Sequence, residues 1–244
     1  MTPRSLRKDV RRAALLAAAL GTLTLACGAG PADDTTRAAW RIVPRKMYSA
    51  HDGVHAFRVP MLTPNAFGVK WSLSNPDTAH IDAYEDSDSA QGSEAMVTAK
   101  APGTVTLTAT AGGASATSVL AVTEATPQLW EIGRRRYVEG ARIRDDVPDP
   151  AAACTNCHGT DKTDIEHTPA QIGGFSDQEV ITIFTEGRKP PGVKNRVIDF
   201  ELWSPVHRWM MDDQEKKGVV VYLRSLSPQS NGTADFGGEG VFQE

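Results

Sequence analysis

Cysteine is scarce in this chain. It occurs three times, at positions 27, 154 and 157. No intersheet disulfide can form between residues 28 and 153, whatever strands lie there. With no second pair of cysteines, a four-ligand structural zinc site lacks its other half. Long apolar runs are missing too: beyond residue 30 none approaches the ~20 residues a membrane-spanning helix needs. Excess positive charge is confined to the start. Residues 1–26 hold Arg4, Arg7, Lys8, Arg11 and Arg12 against Asp9, a net of +4, which leaves -8 for the rest of a chain whose total is -4. So acidic a body is a poor nucleic-acid binder. No Gly-rich phosphate loop and no hydrolase triad stand out.

What is present is concentrated in Cys154-Thr155-Asn156-Cys157-His158. C-x-x-C-H is the covalent attachment site of a c-type haem. Two thiols two residues apart can add to the two vinyl groups of one porphyrin, and the next imidazole can reach the iron as an axial ligand. A thioredoxin-like dithiol would follow a buried strand and open a helix. Pro148-Asp149-Pro150-Ala151-Ala152-Ala153 does not read as such a strand. A bare disulfide would have no use for His158.

The first 26 residues have the parts of an export signal: the basic residues, an apolar stretch from Ala13 to Leu25 and a small-residue exit at Ala26. Thr24-Leu25-Ala26-Cys27 resembles the lipobox of bacterial lipoproteins, although Thr24 stands where an aliphatic residue is usual. The resemblance implies that Cys27 becomes the lipidated first residue of the mature chain. Ordinary cleavage near Ala26 or Ala29 is the alternative. Gly28 after the cysteine implies the outer membrane if the bacterium has two. Residues 27–38 are small and polar and read as a flexible tether.

From residue 39 to 124 short runs of alternating apolar and polar residues are separated by turns. The runs are Trp40–Val43, His55–Val59, Val69–Leu73, Thr78–Ala83, Glu94–Ala99, Thr104–Thr110 and Ser118–Val122, with Gly112-Gly113 suited to a tight reversal. Seven strands predict an antiparallel β-sandwich. Val69–Asp77, Val97–Ala109 and Val119–Val122 resemble the bacterial Ig-like group, which implies a sandwich used as a spacer or adhesion module. The acidic insert Glu85–Ser89 reads as a solvated hairpin tip, since the glycine and register of a calcium loop are absent.

Residues 125–228 read as helical. Pro127 suits a first helical position and a helix follows over Leu129–Glu139. Ser176 and Glu179 form a capping box ahead of Val180, Ile183 and Phe184, and Gly187 ends that helix. The last helix starts at Asp212 or Asp213, with Arg224 near its end in accord with the helix dipole. The segment resembles a class I cytochrome c domain: Gly133 and Tyr137 match the family's first helix, and Val219–Leu226 with Tyr222 its last. The resemblance implies an all-α domain with a close crossing of those helices. It also implies that the Pro169 carbonyl steadies His158 and that a methionine before the last helix supplies the second axial ligand. Met211 is the expected one; Met210 and His207 stay open. His167 falls in the wrong region for the family's distal ligand. Trp203 and Trp209 would pack around the porphyrin, and Lys189-Pro190-Pro191-Gly192 would line its crevice. Residues 229–244 read as disordered.

The expectation is therefore a multidomain chain: an all-β Ig-like sandwich (39–124) followed by an all-α cytochrome c domain (125–228), exported and lipid-anchored at a bacterial membrane. It would carry one covalent haem c through Cys154 and Cys157, ligated by His158 and Met211. Its work would be electron transfer with redox partner proteins, not catalysis. A haem peroxidase or gas sensor with an open iron site, or an adhesion protein with an accessory haem, are the alternatives.

Overall fold

The computed structural model describes residues 41–82, 88–89, 92–140, 153–156, 158, 167–191 and 207–228. The export signal, Cys27, the tether, residues 85–87 of the acidic insert, Cys157, Gly192, Trp203 and the tail from 229 lie outside the described residues.

Period-two alternation sets most of the strands. They are β1 (Lys46–His51), β2 (Arg58–Pro64), β3 (Lys70–Leu73), β4 (Ala79–Ile81), β5 (Asp88–Ser89), β6 (Gly92–Ala99), β7 (Gly103–Ala111) and β8 (Ala114–Glu124). One sheet has the order β1-β8-β7-β3; the other is β2-β6-β4, with β5 also on β6. β7 turns Val105, Leu107 and Ala109 into the core. Gly112 and Gly113 reverse the chain into β8 at φ 56° and 82°, the left-handed pair that a two-residue hairpin of matching twist requires.

The start of the sandwich differs from expectation. Of the run Trp40–Val43, the described residues 41–43 form a bridge from Val43 to Leu62 and no strand. β1 pairs parallel to β8, Lys46 beside Val119 through His51 beside Glu124, so the sandwich is not wholly antiparallel. Its buried positions include Ser49 and Ala50, which carry little hydrophobic signal. Pairing with β8 fixes this strand, not its own pattern.

Among the described residues four α-helices follow: α1 (Pro127–Glu139), α2 (Pro169–Ile172), α3 (Asp177–Glu186) and α4 (Asp213–Ser225). Their starts are written locally. Ser176 Oγ accepts from the Glu179 amide at 3.3 Å while Glu179 accepts from the Ser176 amide at 2.7 Å. Asp212 and Glu215 reciprocate at 2.8 and 3.0 Å, and Thr168 with Gln171 repeats the device. Gly187 ends α3 in the left-handed region. α1 and α4 cross through Gly133 and Gly218. A Cβ at Gly133 would stand 1.8 Å from the Gly218 carbonyl oxygen, so the crossing exists only because neither residue has a side chain.

The expected division into an all-β sandwich and a separate all-α cytochrome c domain does not hold. The described residues are mixed, about 35% strand and 31% helix, with no long all-α domain evident among them. Strand does give way to helix near the expected residue 124, but residues Ala39–Glu244 cluster as one compact unit. Val221 of α4 belongs to the sandwich core, with Leu129 and Trp130 of α1 packed against it. The Tyr48 amide on edge strand β1 donates to the Gly173 carbonyl at 2.8 Å, which covers an otherwise open sheet edge. Arg224, 1% exposed, reaches from α4 to the Tyr48 carbonyl (2.8 Å), the Phe175 carbonyl (2.7 Å) and Asp177 (2.7 Å). It keeps its expected place in the last turn of α4 and is in addition a clamp between layers. Desolvation pulls its pKa below the usual arginine range, with Asp177 opposing.

Candidate functional site

Cys154 opens a single 3-10 turn, Cys154–Asn156, closed by the Asn156 amide on the Ala153 carbonyl at 3.0 Å. The His158 amide donates to the Cys154 carbonyl at 2.8 Å. The local fold thus turns the motif back on itself. Cys154 is 8% exposed and joins an apolar cluster with Tyr137, Ile172, Phe175, Val180, Phe184, Trp209, Met211 and the inner face of α4.

The two methionines part company. Met211 is 8% exposed within that cluster and Met210 is 46% exposed, the alternation that adjacent residues of an extended segment show. Trp209, Met210 and Met211 border a cavity of about 630 Å³ with Ile181, Thr185 and Lys216; its lining does not include Cys154 or His158. Trp209 is buried, and its indole N–H has no hydrogen-bond partner among the described residues. Lys189, Pro190 and Pro191 border a smaller cavity beside α3.

His158 does not stand alone. Its ring lies 3.8 Å from that of His167, tilted by 35°, and 6.2 Å from that of His207 at 76°. The Tyr137 hydroxyl sits 3.4 Å from His167 Nδ1. The Pro169 carbonyl, expected to steady His158, accepts the Gly173 amide at 2.9 Å inside α2. His167, set aside on sequence position, is a ring neighbour of His158. Its one local signal is that it directly precedes the Thr168 cap.

No protein-family model matches the chain. No curated protein matches it either. Among solved structures, domains 4 and 5 of the S-layer protein SbsC are 21% identical at a TM-score of 0.26, over 34% of this chain and 49% of that one. A longer piece of the same S-layer protein is 18% identical at 0.28, over 35% of this chain and 13% of that one. The M1 domain from titin is 13% identical at 0.25, over 32% of this chain and 89% of that one. The chain thus spans about half of the first S-layer structure and a small part of the second. At such scores these likenesses say nothing about what the chain does.

The donor set has the chemistry a haem needs. A thiol and a thioether share an apolar wall, an imidazole is near, and a buried indole N–H lacks the acceptor that a propionate would provide. Among the described residues no three His, Cys, Asp or Glu side chains converge on a metal site, whereas a haem iron asks the protein for only two ligands.

Desolvation, then repulsion from His158 and His207, pushes the His167 pKa from 6.5 down to about 3. The folded chain therefore holds a neutral ring that the unfolded chain protonates near 6.5. This contribution to stability is intact above about pH 6.5 and is lost as the pH falls toward about 3. In protein without haem, the denaturation midpoint should fall across that window, and His167→Phe should flatten the fall. Parallel pH profiles for the two proteins would contradict it.

Proposed function

We propose that this chain is an exported one-electron carrier. It holds one c-type haem covalently through Cys154 and Cys157, with His158 and Met211 as axial ligands. The observation that carries the reading is the pentapeptide Cys154-Thr155-Asn156-Cys157-His158. Burial of Met211 in the same apolar cluster as Cys154, with Met210 turned to solvent, supports the choice of methionine.

When bound, the haem supplies a one-electron iron couple. The chain's own residues do the rest. The two cysteines would fix the macrocycle, and His158 and Met211 would hold the iron. The Met211 sulfur would favour the ferrous state and raise the potential. Val180, Phe184 and Val220 keep water from this wall, so little solvent has to reorganise when the charge changes. Lipid on Cys27 would keep the site at a membrane surface within reach of redox partners.

One observation favours a second ligand set. Two imidazoles that lie close together could both serve one iron. His207 stands 6.2 Å from His158. Spectra of single variants separate the two readings. Ferric wild-type protein should show the weak far-red sulfur-to-iron band, Met211→Ala should lose it, and Met210→Ala should keep it. A wild type without the band, altered only by His207→Ala, would replace Met211 with His207. Carbon monoxide binding by the reduced protein would instead favour a sensor or peroxidase.

A further inference from the structure

The geometry points to His167 as a positioning residue for the iron ligand His158; this rests on the haem reading above. An axial imidazole needs something to fix its rotation about the metal–nitrogen bond, and a second partner commonly does so while tuning its basicity. His167 is placed for the task. Its ring lies against that of His158 at 3.8 Å with a tilt of 35°. A flat neighbour at contact distance restricts how far His158 can turn.

His167 is itself held. Tyr137 sits in an edge-on contact with it at 6.1 Å, and the Tyr137 hydroxyl is 3.4 Å from Nδ1. With that hydroxyl donating, the ring proton of His167 resides on Nε2. The Thr168–Gln171 capping box fixes the backbone immediately after His167. Tyr137 in turn is fixed by its place on α1, one turn beyond the Gly133 crossing. The order of support therefore runs from the α1–α4 crossing through Tyr137 and His167 to His158. His167 touches a ligand and not the iron, so its effect is on the orientation and electron donation of His158.

The test uses full-length protein matured with haem, comparing wild type with His167→Leu, His167→Phe and Tyr137→Phe. Low-spin ferric electron paramagnetic resonance reads the orientation of an axial imidazole, and a redox titration reads the potential. His167→Leu should keep covalent haem but shift the resonance. It should also change the ratio of affinities for ferric and ferrous iron about tenfold, the low end for such partners, which is 59 mV for one electron. His167→Phe, which keeps a flat ring, should retain most of the wild-type resonance. Tyr137→Phe, which removes only a hydroxyl, should shift both readouts less, in the same direction. Wild-type resonance and potential in His167→Leu would overturn the proposal while leaving the haem reading intact. If His167→Leu fails to fold, unchanged values in Tyr137→Phe overturn it equally. A wild type with no haem overturns both.

Discussion

Gly133→Ala should lower the stability of the protein by about 3 kcal/mol and its melting temperature by roughly 6–12 °C. Two effects oppose each other. Alanine favours a helix interior over glycine by about 1 kcal/mol. Against that, the new Cβ would stand 1.8 Å from the Gly218 carbonyl oxygen, 2.1 Å from its carbon and 2.7 Å from the Val219 nitrogen. All three are backbone atoms, which cannot swing aside as a side chain can. The helices must separate, and separation opens both the cluster holding Cys154 and Met211 and the contact of Trp130 with Tyr222. Gly218→Ala meets the Leu129 carbonyl at 2.7 Å and the Gly133 nitrogen at 2.8 Å, so it should cost less but in the same direction. A thermal melt of Gly133→Ala at or above wild type would mean that α1 and α4 do not cross so closely.

Arg224→Met should destabilise by a similar amount, on the order of 3 kcal/mol. Methionine replaces most of the bulk but none of the donors. It strips partners from the Tyr48 and Phe175 carbonyls and leaves Asp177 without its cation. Asp177 is 39% exposed, so water recovers part of that last loss, and the figure is held to the lower end of what breaking a buried pair costs. Arg224→Lys keeps the charge but presents a point ammonium where a planar fork serves three acceptors in different directions, so it should recover less than half. Urea unfolding of the three proteins gives the numbers. Because the clamp ties β1 to α3 and α4, sheet and helix signals should melt together in the wild type. Separate sheet and helix transitions would favour two independent domains.

How far the sequence spoke depends on whether a feature is local. The helix starts at Ser176 and Asp212 were legible because a capping box is written in four residues. β7 was legible because Thr104–Thr110 alternates cleanly, and its turn into β8 because Gly112-Gly113 suits a tight reversal. β1 was not, because Ser49 and Ala50 are buried by pairing and carry no pattern of their own. The separation into domains failed on one run. Val219, Val220 and Val221 are all buried, and three consecutive apolar residues cover more than one helix face. Val219 and Val220 lie in the cluster with Cys154, whereas Val221 lies in the sandwich core. Arg224 and His167 share one difficulty: each meets residues distant in sequence, which spacing does not record. The motif at Cys154 stands apart, since its chemistry is contained in five consecutive residues.

The most direct measurement is the intact mass of the denatured protein, purified from a host that matures c-type cytochromes. Covalent attachment predicts a chain heavier by one haem, and the unmodified mass for Cys154→Ala combined with Cys157→Ala. A wild-type chain at its unmodified mass, colourless after denaturation, would contradict the account.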